Sequence, residues 1–386
     1  MQNPGDTQAG AATAGAPPAP DATIAGVSRE AHVAAAAAPL DPDALRAFAA
    51  AVYRSVDVPA DDAALAADTL VQADLWGHQS HGMLRLGWYY ARLRSGAMKA
   101  RTQCRIAVDG GAVAVLDGAD GIGQVVARRA TDEAVQRARK HGVAVVSVRN
   151  SNHFGTCMYY TRIGAQAGCV MMLMSNAGPN MAPWGGLKKK IGTNPWSIAA
   201  PAGARPPIVM DMANSGVARG KIYLANNRHE SIPSHWAVDK HGNPTTDPAA
   251  ALEGFILPMA GHKGYVMGVM IDVLSGVLSG SQFLDGVHGP YDPVNPSGAG
   301  HFMLAVNVSA LMPAEEFDAR MDAYIASLKD VPVAPGHEQV YYPGEMEAQA
   351  DQRNRAAGLY LAPDTLADLA RVAGEAGLNW RDFFPA

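Results

Sequence analysis

From residue 41 the apolar positions recur at helical spacing, and beyond residue 105 they contract into short continuous runs. Asp41-Pro42 reads as an N-cap acid followed by a proline at the first helical position. The spacing predicts helices over residues 42–56 and 61–76, the second stopped by Gly77, and a third periodic stretch over 82–93 that carries Leu84, Leu86, Trp88 and Tyr89. Two short runs, 106–108 and 113–116, flank Asp109-Gly110-Gly111 and predict a β-hairpin. A helix over 124–141, closed by Gly142, leads into a β-rich run over 143–148, and further runs follow at 169–174, 196–200 and 208–212. After a polar stretch over 226–248 come a buried helix at 263–279, a strand at 301–306 and a helix at 313–328. A long loop over 329–352 then precedes a last helix at 363–376. Strands alternating with helices, behind a small helical layer, argue for an α/β fold with helices on the faces of a sheet.

Composition adds limits. With 386 residues, 48% hydrophobic and 17% charged, the chain can build two or three packed units. Residues 1–38 are the exception, being rich in Ala, Gly and Pro. They read as a disordered leader and not as a signal peptide, because no basic start is followed by a continuous apolar core. A net charge of -5 without a basic tail argues against nucleic acid as a partner. The apolar run over 265–278 contains Asp272 and is too short to cross a bilayer, which argues against a membrane span. Cys104, Cys157 and Cys169 are too few and too scattered for a disulfide framework, so a reducing, cytoplasmic setting is expected.

Four clusters carry the reactive side chains. Within Gly77-His78-Gln79-Ser80-His81-Gly82-Met83-Leu84-Arg85, a helix resuming near Ser80 would put His81, Arg85 and Tyr89 on one face. That face suits a 2-hydroxy acid, the imidazole passing a proton to or from the C2 oxygen and the guanidinium gripping the carboxylate. A histidine-bearing loop beside a surface arginine fits the same residues. His78 and His81 have the spacing of a metal pair, but no third ligand lies nearby, so no metal is expected. Asn150-Ser151-Asn152-His153-Phe154-Gly155 follows a strand and precedes a helix, where open sheets bind ligands, although a satisfied core histidine reads the same way. Cys157 reads as a buried thiol.

Asp211 ends an apolar strand and needs a partner, either His81 in an acid/base relay or the N–H groups of the next segment. Gly261-His262-Lys263-Gly264 opens a helix whose free N–H groups and lysine suit a pyrophosphate, or is a plain helix start. Lys188-Lys189-Lys190 reads as a solvated turn or as a contact for a 2′-phosphate. The glycines of Gly118-Ala119-Asp120-Gly121-Ile122-Gly123 do not make a dinucleotide fingerprint, since their order is G-x-x-G-x-G and no acid ends a second strand about twenty residues on.

Read in order, the shared strings begin with Ser80-His81-Gly82 and Arg85, Gly123-Gln124, Asn150 to Gly155, Ser175-Asn176 and Gly192-Thr193-Asn194-Pro195. They continue with Asp211-Met212-Ala213, Val217 to Lys221, Lys263-Gly264-Tyr265, Leu274 to Gly280 and Pro343-Gly344-Glu345. In this the chain resembles the malate/L-lactate dehydrogenase family that lacks a Rossmann fold. The resemblance implies a family-specific α/β/α fold with a mixed sheet, like that of L-sulfolactate dehydrogenase, behind a helical N-terminal layer. It also implies a homodimer that binds NAD or NADP, NAD slightly favoured, and moves a hydride between the nicotinamide and C2 of a small 2-hydroxy or 2-keto acid.

By the resemblance, His81 is the acid/base, Ser80 and Asp211 form its relay, and Arg85 holds the substrate carboxylate, with His153 beside the substrate; Tyr89 joins the substrate-binding candidates by its spacing from His81 and Arg85. His153 also neighbours the nicotinamide, and Asn176, Asp211, Met212, Ala213, His262, Lys263, Pro343, Gly344 and Glu345 line the cofactor. The implied division is a substrate and dimerisation domain over 39–149, a cofactor domain over 150–308 and a C-terminal segment over 309–386 that packs back on the first. Trp76 stands where relatives often carry arginine, and His262 where they often carry tyrosine. Two other activities fit the same residues: reduction of a cyclic imine acid of the piperideine-2-carboxylate type, and cofactor binding without turnover.

Overall fold

Residues 38–384 are described by a computed structural model, and the leader expected over 1–38 lies outside them but for its last residue. Asp41 caps α1 (Pro42–Arg54) by accepting the N–H groups of Asp43 and Ala44, as its place before a proline predicts. Then come α2 (Ala60–Leu75), two short 3-10 turns, and α3 (Leu86–Ser95). A hairpin of β1 (Arg105–Asp109) and β2 (Val113–Asp117) leads through α4 (Gly123–His141) to β3 (Val143–Ser151), α5 (Met158–Gln166), β4 (Cys169–Ser175), β5 (Trp196–Ala200) and β6 (Ile208–Met212). A smaller unit holds α6 (Arg219–Arg228), β7 (Ala237–Val238), α7 (Pro248–Glu253) and β8 (Phe255–Ile256), and is followed by α8 (His262–Asp272) and β9 (Ala299–Asn307). The chain ends in α9 (Ala314–Lys329), α10 (Glu345–Ala357) and α11 (Pro363–Glu375).

Seven strands form one mixed sheet in the order β1-β2-β3-β9-β4-β5-β6. Only β2 and β3 pair in parallel, as expected for two strands joined by a helix. Strand β9 shows why helices cover both faces. Met303 and Ala305 join the core that α4 and α5 complete, whereas Gly300, of opposite parity, has the Ser275 carbonyl where a Cβ would stand. A separate core under the N-terminal helices, with Leu45, Phe48, Leu70 and Leu86, also takes Leu369 and Val372 of α11.

The structure corrects three expectations and adds elements to one polar stretch. The stretch over 82–93 is not one helix, because Gly82 adopts φ -89, ψ -146 and splits two 3-10 turns ahead of α3. The polar region near 226–248 is bordered by α6 and α7 and contains β7. The loop over 329–352 ends in α10, whose polar composition leaves only Ala350 buried and so shows no apolar stripe to read. The helix expected to be buried at 263–279 is α8 running into a π-helical turn, Val273–Val277. It exposes Val266, Met270, Val273 and Val277, each between 39% and 54% accessible. Among the described residues no helix is long and apolar enough to cross a membrane.

Candidate active site

At the end of α2, Gly77 turns the chain with φ 83, and the turns Gln79–His81 and Met83–Arg85 lay Ser80, His81 and Arg85 against the sheet end that carries His153. Asp74 fixes this bend. Its carboxylate accepts the Met83 N–H at 2.8 Å, and a Cβ on residue 82 would fall 2.0 Å from it, so only glycine fits between the acid and the turn. Sequence reading missed Asp74, although it continues the helical stripe of Ala63, Ala67 and Leu70, where a charged residue is out of place.

Burial raises the Asp74 carboxyl to about 7 against the opposing effect of the Met83 N–H. Its folded-state value lies above the unfolded value of about 4, so the folded protein keeps the proton between the two and loses stability as pH rises through that window. Asp74→Asn retains an oxygen for the Met83 N–H and removes the buried charge. Its melting temperature relative to the parent is expected to be unchanged near pH 4 and to climb by several degrees toward pH 8. Thermal melts across that range test this, and a difference that does not grow with pH would refute it.

His81 and His153 stack with ring centroids 5.7 Å apart and planes 17° from parallel. Ser80 Oγ lies 2.9 Å from His81 Nδ1. Burial first, then Arg85 and His78, lowers His81 to about 3, so its ring is neutral. His153 is held well below its ordinary value by burial, with Arg85 and His81 adding to the effect. The Gly155 N–H points at His153 Nδ1 from 3.3 Å, which makes that nitrogen an acceptor. Tyr89 therefore donates its hydroxyl to Nδ1 at 2.5 Å, and the ring proton sits on Nε2. Beneath them His301, unexposed, bridges Ser151 at 2.8 Å and Ser175 at 3.0 Å and meets Phe154 edge-on.

Arg85 is 8% exposed and donates Nε to the Ser80 carbonyl at 2.6 Å. Its Nη1 is buried and has no partner. A guanidinium nitrogen taken out of water and left unpaired is costly, and the arrangement fits an anion that completes it. His81, Arg85 and Tyr89 thus converge on His153 without lying on one helix.

Asp211 goes elsewhere. Its Oδ2 accepts the Met158 N–H at 2.7 Å, its ionisable neighbours are His78 and Glu347, and burial raises it to about 6. No hydrogen bond joins it to His81 among the described residues. Cys157 is buried with its thiol pushed up by burial.

Of the residues expected to line the cofactor, Asp211, Met212 and Ala213 lie at the end of β6 and His262 and Lys263 at the start of α8, whereas Pro343-Gly344-Glu345 docks at the other end of β6. Met212 and Ala213 run into Asn214, whose carbonyl accepts the Met259 N–H at 2.8 Å, and the Met259 carbonyl in turn accepts the Gly264 N–H at 3.1 Å at the start of α8. That helix start has no side-chain cap, and His262 and Lys263 stand exposed on it, with the Trp184 ring 6.0 Å from His262. Asn214 Oδ1 and Ser215 Oγ are buried without partners beside it. Pro343 accepts the Val209 N–H at 3.0 Å, which docks the Pro343-Gly344-Glu345 turn on β6, while Glu345 pairs with Lys329 and takes the Tyr342 N–H. Asn176 is inward and satisfied, donating to Asp272 and the Gln282 carbonyl and accepting from Gly300 N–H.

A sequence model of the family described as malate/L-lactate dehydrogenase matches residues 40–370. The L-sulfolactate dehydrogenase of Methanocaldococcus jannaschii is 37% identical over 332 residues, spanning 86% of this chain and 95% of its own. The solved sulfolactate dehydrogenase structure from that organism, at 36% identity, superposes with a TM-score of 0.84 over 89% of this chain and 99% of its own. The malate dehydrogenase of Pyrococcus abyssi is 35% identical over 345 residues, 87% of this chain and 94% of its own. The Δ1-piperideine-2-carboxylate reductase of Pseudomonas syringae superposes with a TM-score of 0.77 at 26% identity, over 87% of this chain and 100% of its own. With this mixed sheet and these relatives, the chain belongs to the malate/L-lactate dehydrogenase family and is an oxidoreductase acting on a CH–OH group.

Proposed function

We propose that the protein transfers a hydride between a nicotinamide cofactor and C2 of a small 2-hydroxy or 2-keto acid, with His81 as the acid/base. The observation that carries this reading is the unpaired, buried Nη1 of Arg85 next to a neutral His81. Arg85 binds the substrate carboxylate. That pairing offsets the positive charge that helps hold His81 low, so substrate binding raises the affinity of His81 for the C2 hydroxyl proton. Ser80 orients the ring through Nδ1, and the Nε2–H of His153, fixed by Tyr89, is a donor for the C2 oxygen. Asp211 instead takes the Met158 N–H and faces His78, so it reaches His81 only by way of His78.

The exposed Lys263, the uncapped start of α8 and the unpaired Asn214 and Ser215 oxygens fit a pyrophosphate and ribose, and Met212 and Ala213 lie beside them. When bound, the nicotinamide supplies or accepts the hydride. A screen of 2-keto acids and cyclic imine acids with NADH and NADPH, followed by nicotinamide absorbance, tests the reading. No turnover with any member despite cofactor binding would leave a binding protein in its place.

A histidine and an arginine clamp carry out this chemistry without a metal ion. Prolonged dialysis against a chelator is therefore expected to leave kcat and KM unchanged. Activity lost on chelation and restored by zinc would contradict the mechanism.

A further inference from the structure

Arg85 lies 4.3 Å over the ring of Trp88 and 5.7 Å from that of Tyr291, and the two rings are themselves 4.5 Å apart. Trp88 comes from α3, two residues after its start. Tyr291 comes from the segment between the 3-10 turn Leu284–Gly286 and β9. That segment is built and not slack. Arg92, 2% exposed, donates to the carbonyls of Asp292 and Asn295 and to Asn152 Oδ1, so one side chain ties the Tyr291 segment to the residue preceding His153. The Asp292 carboxylate accepts the N–H groups of Val294 at 2.9 Å and Asn295 at 3.0 Å. Tyr291 remains 57% exposed and bounds the enclosure on its solvent side.

The charge around this enclosure is as informative as its shape. Besides histidines, the cations that bear on His81 and His153 are Arg85 and Arg92. Arg92 is occupied by two carbonyls and an amide oxygen, which leaves Arg85 as the one with a free buried donor. With a substrate carboxylate on Arg85, its C3 substituent is directed at the Trp88 and Tyr291 rings, and among the described residues Arg92 is the one other non-histidine cation that bears on His81 or His153. A second anionic group there would be stripped of water without a partner.

We propose that Trp88 and Tyr291 form a selectivity wall that admits 2-keto and 2-hydroxy acids with one carboxylate and an apolar or planar substituent, and rejects dianions bearing a second carboxylate or a sulfonate. This rests on Arg85 holding the substrate carboxylate, as argued above. The test is kcat/KM of the full-length enzyme, with NADH and with NADPH, for 2-oxobutanoate, 4-methyl-2-oxopentanoate, phenylpyruvate and piperideine-2-carboxylate against oxaloacetate and 3-sulfopyruvate.

The best monocarboxylate is expected to exceed both dianions by about 100-fold or more. Tyr291→Ala should lower kcat/KM for the larger monocarboxylates by roughly tenfold and leave oxaloacetate nearly unchanged, whereas Tyr291→Arg should raise the dianions relative to the monocarboxylates. Because Tyr291 is exposed, both variants should melt like the parent. Equal or better turnover of a dianion by the parent, or a selectivity ratio that neither variant moves, overturns the wall and leaves the dehydrogenase reading standing. No turnover of either class overturns both.

Discussion

His81→Ala is expected to lower kcat by about 10²–10⁴ in either direction, with the KM for cofactor nearly unchanged. Hydride arriving at C2 leaves alkoxide character on the oxygen, and a positioned proton donor removes that charge as it forms. In oxidation the same nitrogen takes the hydroxyl proton before or as hydride leaves. The neutral ring, held at about 3 by burial, Arg85 and His78, is ready for the second task in the free protein. The acid limb of kcat/KM for oxidation should therefore carry no contribution from His81 between about pH 5 and pH 8. Ser80→Ala, which removes the 2.9 Å contact to Nδ1 and leaves the imidazole in place, should fall between the parent and His81→Ala. Steady-state kinetics on the three proteins decide this. Near-parental kcat in His81→Ala would assign proton transfer to another group, and His153, stacked on His81, would be the first to replace next.

Much of this site is written in local sequence, and the missing part is nonlocal. Strands β5 and β6 have the bounds that their apolar runs predict, and Gly142 closes α4 with φ 85, because short apolar runs bounded by Pro and Gly and a glycine cap with positive φ leave plain local signatures. The segment from Asn150 to Gly155, which covers the last two residues of β3 and the turn after it, is legible as polar residues that follow an apolar run. Spacing alone puts His81, Arg85 and Tyr89 on one helical face, whereas the geometry that unites them is different. Gly82 breaks the helix, and His153, 64 positions after Tyr89, supplies the meeting point.

What could not be read is what crosses the chain. Tyr291 and Arg92 reach the site through contacts spanning about 200 positions, and no spacing rule links them. Asp211 looked like the natural partner of a histidine, yet the start of α5 brings the Met158 N–H to it first. The apolar pattern of α8 was visible, but a stripe that faces solvent and one that faces a core look the same in one sequence. Helix α10 went unseen because it packs mostly through polar contacts, such as Asp351 with Gln72 and Asn354 with the Leu75 carbonyl.

Arg85→Lys is expected to raise the KM for the 2-keto acid by roughly 10–100-fold while lowering kcat less than tenfold. Lysine keeps the charge and loses the fork, so a carboxylate gripped through two parallel N–H groups would be left on one rotatable ammonium. The loss of one or two charge-assisted hydrogen bonds, each worth about 1.5–3 kcal/mol, covers that range. The interaction exists with substrate and transition state alike, and removing such uniform binding raises KM and spares kcat. A smaller effect on kcat is built in, because Arg85 Nε also holds the Ser80 carbonyl at 2.6 Å and Ser80 orients His81. Trp88, 4.3 Å under the guanidinium, keeps a cation to stack on in the lysine variant, so the fold of the turn should survive and the melting temperature should change little. Initial-rate kinetics with the best substrate of the screen, at saturating cofactor, separate the two constants. A fall in kcat with KM unchanged would move Arg85 from carboxylate binding to support of His81 alone, and the Nη1 left unpaired in this structure would then need another partner.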